Sequence, residues 1–334
     1  MTSRSFRTDE NAAFERPRRH TKPRTKDRPD YSRAEIGVVI TVDRGRYRVL
    51  VDDHEVTATK ARQLGRTGVI VGDRVRVVGD TSGEEGSLGR IVQVEERVTV
   101  LRRTADDDDP FERPIVANAD QLVIVTALAD PPPRTGMIDR TLLAGFDAGI
   151  EPLLCLTKAD LAGPEELLAQ YAPLGVPVQT VSPGADLTAL RTALHGRTSV
   201  FVGHSGVGKS TLVNALIPDA HRGIGAVNEV TGRGRHTSSS AIALRLPDLG
   251  AAGPAGDAGW VIDTPGVRSF GLSHVTRESL VAAFADLAAI TQNCPRGCSH
   301  QTDAPECALD AAVARGELSR ARLEAFRRML DSDQ

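Results

Sequence analysis

Three short stretches of this sequence carry side chains suited to phosphate, a purine base and a metal. Gly203-His204-Ser205-Gly206-Val207-Gly208-Lys209-Ser210-Thr211 fits the spacing G-x-x-x-x-G-K-[ST], between the apolar run SVFV and the apolar-periodic run TLVNALI. Glycines at those offsets let backbone N–H groups turn inward around phosphate oxygens. Lys209 then reaches the β and γ phosphates, and the Ser210 hydroxyl can ligate Mg²⁺. Downstream, WVIDTPG at 260–266 is a second apolar run; it sets the Asp263 carboxylate on the metal side and a backbone N–H, at Gly266, near the γ phosphate. Cys294, Cys298, His300 and Cys307 place three thiols and one imidazole within 14 residues. That donor set is typical of closed, structural zinc.

A fourth stretch raises a question of order. LLCLTKAD at 153–160 ends in Lys158-x-Asp160, which has the look of a guanine reader, yet it precedes the phosphate loop. Between the phosphate loop and WVIDTPG lies GIGAVNEVTGRGRHTSSSAIALRL, rich in glycine, arginine and hydroxyls and without helical periodicity. It reads as a switch segment in which Thr237 or Ser238 completes the Mg²⁺ shell while the γ phosphate is present.

The elements that must position these residues are legible from period and punctuation. QLVIVTALA, EPLLCL, VPVQTV and TSVFVG read as buried strands, and they alternate with the helical stretches DRTLLAGFDAGI, GPEELLAQYAPLG and DLTALRTAL. Alternation of this length implies a parallel sheet with helices on both faces. Cys155 falls inside one strand and reads as a core thiol. From about Glu35 to Arg103 the pattern changes to β-branched runs at period two, broken by turn residues, which predicts an all-β, OB-like barrel of five or six strands. Arg46, Arg48, Arg74 and Arg76 on those strands point to an RNA-facing surface. TADDDDPFERP at 104–114 reads as a solvated linker, and PDLGAAGPAGDAG at 247–259 as a hairpin tip without chemistry. SRARLEAFRRML has the spacing of an amphipathic helix that packs on the metal module or touches RNA.

Composition bounds the rest. The chain has 334 residues and a net charge of −3, which conceals a basic segment over residues 1–33. That segment cannot bury enough apolar surface to order itself, and it is expected to be disordered, as a solubilising tail or as a nucleic-acid arm. No run approaches the ~20 apolar residues of a membrane span and no signal segment opens the chain, so a cytoplasmic, membrane-free protein is expected. Four cysteines do not make a disulfide framework.

Guanine-specific GTPases normally run phosphate loop, switch, D-x-x-G, then [NT]-K-x-D. This sequence has TKAD, then a serine-bearing loop at VSPG, then the phosphate loop and DTPG: a circular permutation. With the barrel before it and the cysteine-rich tail after it, the chain resembles the ribosome small subunit-dependent GTPase A (RsgA) family over nearly its whole length. RPIVANADQLVIV, TKAD, GHSGVGKSTLVN, GRGRHTSSS, DTPGVRSFGL and CPRGCSH carry the resemblance.

The resemblance implies a layout: a disordered basic tail at 1–33, an OB-like RNA-binding barrel at 34–103, a permuted α/β P-loop GTPase domain at 104–275 and a helical zinc-binding domain at 276–334. It implies GTP hydrolysis to GDP and phosphate, stimulated by the 30S subunit, in late small-subunit maturation. A monomer that binds 16S rRNA, with Mg²⁺ and one structural Zn²⁺, is expected. Asp160 is expected to accept from guanine N1 and N2, and Lys158 to pack along the nucleotide. Thr157 stands where Asn is commoner and offers only a hydroxyl. Ser182 holds the fifth-motif position, but Pro183 replaces the usual Ala and removes a backbone donor. Val267 stands where many GTPases carry a water-orienting Gln, so His236, beside Thr237, is the expected group acting on water, against the alternative of a solvated surface histidine. The zinc spacing also departs from the family, which usually has one more residue between the first two cysteines and about one fewer before the last. Chelation is expected to disorder the tail and weaken ribosome binding while sparing nucleotide affinity. Two other readings are an RNA-binding module in which GTP only sets affinity, and a P-loop ATPase or kinase.

Overall fold

In a computed structural model of the chain, the described residues are 30–65, 68–104, 112–218, 241–248, 258–265 and 275–331. The chain divides into two units, 1–33 and 34–334. In the first, the Asp30 carboxylate accepts from the Ser32 N–H and hydroxyl; the expected basic tail otherwise lies outside the described residues. All that follows concerns the second unit.

Strands β1 (Glu35–Asp43), β2 (Arg46–Val51), β3 (His54–Lys60), β4 (Arg74–Gly79) and β5 (Gly89–Val94) close on themselves in the order β1-β2-β3-β5-β4-β1. All pairs are antiparallel except β3 with β5. The period-two pattern does what it predicts: in β2, Tyr47, Val49 and Val51 point inward while Arg46 and Arg48 point out. Five strands form this barrel.

The sixth run, β6 (Val100–Thr104), turns away and pairs antiparallel with β7 (Glu112–Ala117). The stretch 104–114 is therefore not all linker: its two ends are strand, and its acidic centre lies outside the described residues. Leu101 and Val116, fully buried, supply the reason, since they extend both arms of the hairpin into the main core.

The second sheet continues from the barrel. It comprises β8 (Gln121–Ala127), β9 (Glu151–Thr157), β10 (Val178–Thr180), β11 (Thr198–Gly203), β12 (Ile242–Arg245) and β13 (Trp260–Asp263), in the order β10-β9-β8-β11-β13-β12. Every pair is parallel except the β12–β13 edge, and β12 meets β1 at Thr41 and Ile242. Alternate residues feed opposite faces. Leu122, Ile124, Leu154 and Leu156 pack with α1 (Thr135–Asp147) and α2 (Glu165–Tyr171). Val123, Val125, Leu153 and Cys155 pack with α3 (Thr188–Leu194) and α4 (Lys209–Leu216). The chain thus winds outward from β8 with helices on one face, then returns across the other to β11. The switch point between β8 and β11 is where open α/β sheets leave a crevice at their carboxyl ends.

Four further helices follow: α5 (Arg277–Ala283), α6 (Ala285–Thr291), α7 (Ala308–Ala314) and α8 (Arg320–Asp331). Leu280, Phe284, Leu287, Leu309, Phe326 and Met329 join the same core as α1 and α2. Phe284 makes edge-on contacts with Phe146 of α1 and Phe326 of α8, at centroid distances of 4.8 and 5.7 Å. Among the described residues no helix is long and apolar enough to cross a membrane.

Candidate functional site

Strand register sets the site. Gly203 pairs with Val125, Ala127 with Thr157, Leu156 with Thr180, and Phe201 with Asp263. The four motif-bearing strands therefore end within a few residues of one another along one sheet edge, and their loops gather over the switch point.

The phosphate loop leaves β11 at Gly203 and enters α4 at Lys209. Gly206 and Gly208 hold φ values of +86° and +88°, which side-chain-bearing residues rarely adopt and which an inward-turned loop requires. Ser205, Ser210 and Thr211 are exposed, His204 is half-buried with its Nδ1 2.8 Å from the Ser205 carbonyl, and Val207 anchors the loop in the core.

Two contacts bind the scattered motifs into one structure. The buried Thr157 hydroxyl lies 2.5 Å from the Val207 carbonyl and 3.2 Å from that of Thr126, so the first residue of TKAD braces the phosphate loop. Lys209, also buried, donates to the Asp263 carboxylate and to the Thr264 carbonyl, the latter at 2.6 Å. Thr264 is pinned in turn, its hydroxyl donating to the Phe201 carbonyl at 2.7 Å. The Lys209–Asp263 pair spans 54 positions of sequence, and no local spacing announces it.

The TKAD loop is held from several sides. Lys158, at φ +57°, donates to the carbonyl of Asp130 in the β8–α1 loop. Pro131 of that loop stands 3.6 Å from where a Cβ on Gly206 would lie. The Ala159 N–H donates to the Val181 carbonyl at 3.3 Å, joining TKAD to the half-buried Ser182, whose carbonyl accepts from Ala185 at 3.1 Å. Asp160 is exposed at the loop's tip, open to a ligand. Sequence reasoning overlooked the β8–α1 loop; three consecutive prolines after a buried strand were the available signal. His236, Thr237, Ser238 and Gly266 lie outside the described residues.

After α6, Cys294, Cys298, His300 and Cys307 offer ligand atoms that all lie within 4.8 Å of one another. His300 Nδ1 is 3.6 Å from Cys294 Sγ and 3.9 Å from Cys307 Sγ. Thiolates about 2.3 Å from a tetrahedral zinc stand roughly 3.8 Å apart, so this donor set fits that ion without a protein ligand to spare. Left-handed φ values at Gly297, His300 and Glu306 bend the altered spacing back onto the cluster. The Ala308 N–H points to Cys294 Sγ at 3.3 Å, and Arg327 donates to the His300 carbonyl at 2.9 Å. Burial, with the charges of Arg277 and Arg327, lowers the His300 imidazole below its ordinary value, which keeps it neutral for coordination. Burial pushes the Cys307 thiol up to about 11 and Cys155 up to about 12. Cys155 sits in the core, away from any of these groups.

On the barrel, Arg46 and Arg74 are exposed, whereas Arg48 pairs with Glu55 and Arg76 with Glu95 at 2.5 Å. Two of the four expected cations are thus partly neutralised within the chain.

A family model described as RsgA GTPase matches residues 94–273. A protein of Azotobacter vinelandii described as small ribosomal subunit biogenesis GTPase RsgA is 37% identical over 308 residues, 89% of this chain and 85% of that one. A protein of Pseudomonas syringae with the same description is 36% identical over 335 residues, 97% and 93% of the two chains. Among solved structures, YjeQ from Thermotoga maritima superposes with a TM-score of 0.62 at 25% identity, covering 90% of this chain and 98% of that one. A structure described as YloQ, a circularly permuted GTPase, gives 0.63 at 24% identity, over 92% and 97%, and shares the fold.

Proposed function

The chain belongs to the RsgA GTPase family and is a GTP hydrolase, and we propose that it acts late in small ribosomal subunit biogenesis, binding the 30S subunit and 16S rRNA and turning over GTP faster when bound there. The observation that carries the reading is the joining of base reader, phosphate loop and DTPG strand through Thr157 and Lys209 at one sheet edge. A base-specific triphosphatase needs those three parts rigidly related, because phosphoryl transfer is mostly positioning and charge stabilisation.

In this reading Asp160 accepts from guanine N1 and N2, Lys158 holds the β8–α1 loop beneath the nucleotide, and Ser182 closes the base side. The backbone from Gly203 to Gly208 cradles phosphate, with Lys209 and Thr211 completing it. Lys209 and Asp263 neutralise each other until phosphate draws the ammonium away, leaving Asp263 to join Ser210 around Mg²⁺. When bound, that ion would supply positive charge against the charge that develops on the phosphates. Thr237, Ser238 and Gly266 contribute at the γ phosphate, and His236 orients water, on the sequence argument alone. Cys294, Cys298, His300 and Cys307 hold one structural zinc.

The barrel, OB-like in strand order, is the RNA-facing part, over 34–103; residues 104–275 form the GTPase part and 276–334 the zinc part. The protein works as a cytoplasmic monomer.

Hydrolysis of GTP and of ATP by the purified chain, with and without 30S subunits at matched salt, tests this. The expected result is turnover of GTP alone, raised by 30S, with the rise lost in His236→Ala while GTP still binds. Equal turnover of ATP, or no response to 30S, would overturn the assignment.

A further inference from the structure

The last helix, α8, lies far along the sequence from the guanine-reading loop yet grips the two helices that flank it. Arg328 stacks over the Tyr171 ring at 5.2 Å, donates to the Gln170 carbonyl at 3.3 Å and reaches the buried Asp139 carboxylate of α1 at 3.4 Å. One turn and a half earlier, Arg322 donates to the Pro173 carbonyl at 2.8 Å. It also forks onto Asp286 at 2.9 and 3.1 Å and stacks over Phe284 at 5.0 Å. Gln170 lies in the last turn of α2 and Pro173 in the 3-10 turn Ala172–Leu174 that continues it, where carbonyls run out of partners within the helix and the macrodipole is negative. Two arginines of one helix therefore cap the end of another.

Helix α2 begins five residues after Asp160, and the intervening turn is closed by the Leu161 N–H on the Lys158 carbonyl at 3.0 Å. At its far end, the Tyr171 hydroxyl donates to the Thr135 carbonyl at the start of α1, at 3.3 Å. The β8–α1 loop just before Thr135 is the one that receives Lys158. Arg328 thus touches both helices whose free ends carry the base-reading loop and its support.

We propose that Arg322 and Arg328 are positioning residues for base recognition: α8 clamps α2 and α1 so that the Asp160 carboxylate is presented to the purine edge. The inference rests on the guanine-reader assignment of Asp160 and adds to it a distant determinant. A short helix with a frayed end lets its leading loop wander. A carboxylate displaced by an ångström loses a two-point contact first, because both hydrogen bonds depend on its angle.

The test is calorimetric titration of the zinc-loaded full chain with GDP and with inosine diphosphate, which lacks the exocyclic 2-amino group and so offers Asp160 one donor fewer. The wild-type protein should prefer GDP by about tenfold or more, the scale set by one buried hydrogen bond to a charged group. Arg328→Ala and Arg322→Ala should each narrow that ratio about threefold or more, mainly through weaker GDP binding, and should speed amide hydrogen exchange in residues 158–171. Arg328→Lys, which keeps the charge but loses the planar guanidinium that reaches Asp139, Gln170 and Tyr171 together, decides the matter where the alanine variant does not fold. A ratio unchanged within error in a folded variant of lowered melting temperature would make the arginines merely structural and overturn the proposal. Absence of any GDP preference in the wild type would instead remove the guanine-reader assignment, and the proposal with it.

Discussion

Thr157 is the residue whose sequence reading the structure most changes. Against a family in which Asn is commoner, a hydroxyl looks like a weakened base contact; in the fold it is buried and spent on the phosphate loop, 2.5 Å from the Val207 carbonyl. Its single proton cannot also serve Thr126, whose carbonyl at 3.2 Å is the poorer acceptor. Thr157→Val keeps the shape and removes the proton, leaving a buried carbonyl without that donor at a cost of about 1–3 kcal/mol. Affinity for GDP should fall about tenfold, with the preference for GDP over inosine diphosphate unaltered, since the loop and not the base edge loses support. Titration of both nucleotides checks this, and undiminished GDP binding would exclude the brace. That residues 203–209 form a glycine-held loop between a strand and a helix was legible because the motif is local. What those residues touch was not, since Thr157–Val207 and Lys209–Asp263 are 50 and 54 positions apart and only the fold brings them together.

At the scale of elements, period two and alternating strand and helix lengths predicted the barrel and the parallel sheet, whereas β6, whose run reads as a sixth barrel strand, leaves the barrel to pair with β7, whose start falls in a stretch that reads as linker. The packing of the barrel against the β6–β7 hairpin was not predicted at all. It turns on Gly72, at φ +86°, where a Cβ would stand 2.0 Å from the Ala117 carbonyl oxygen. Here the Ala117 N–H donates to Val71 at 3.0 Å, and the Asn118 amide donates to the Gly72 carbonyl at 2.9 Å. Any side chain must both adopt left-handed backbone and push the barrel off β7. Gly72→Ala should therefore cost about 3 kcal/mol or more, lowering the melting temperature by about 6 °C or more. Nucleotide affinity of the folded protein should hold, because the atoms a Cβ at Gly72 would meet all belong to Ala117 and none to the motif loops. A scanning-calorimetry trace that matches wild type would show that the barrel and the β6–β7 hairpin do not press together at Gly72.

For the whole molecule, a cysteine-rich tail after a complete set of nucleotide motifs reads as a separable module, and from that follows the expectation that chelation spares nucleotide affinity. The packing argues otherwise. Leu280, Phe284, Leu309 and Phe326 share one core with Leu142 of α1 and Leu154 of β9, and Cys307 is buried within it. Removing zinc leaves three thiols and an imidazole facing one another with no ion to organise them. Zinc-site binding energies of roughly 10–16 kcal/mol rival the whole stability of a domain. Loss of the ion must therefore be felt across α1 and α2, not confined to the last sixty or so residues. After chelation verified by elemental analysis, the chain should unfold in a single transition at lower temperature. GDP binding should weaken in step, because α8 can no longer cap α2. Two separate transitions, the upper one matching the zinc-loaded protein and responding normally to GDP, would restore the picture of an independent tail. Why a GTPase would join a cysteine–histidine cluster to the helix that follows its TKAD loop then has a physical answer: a short α2 cannot hold its own ends, and the helix that holds them needs an anchor.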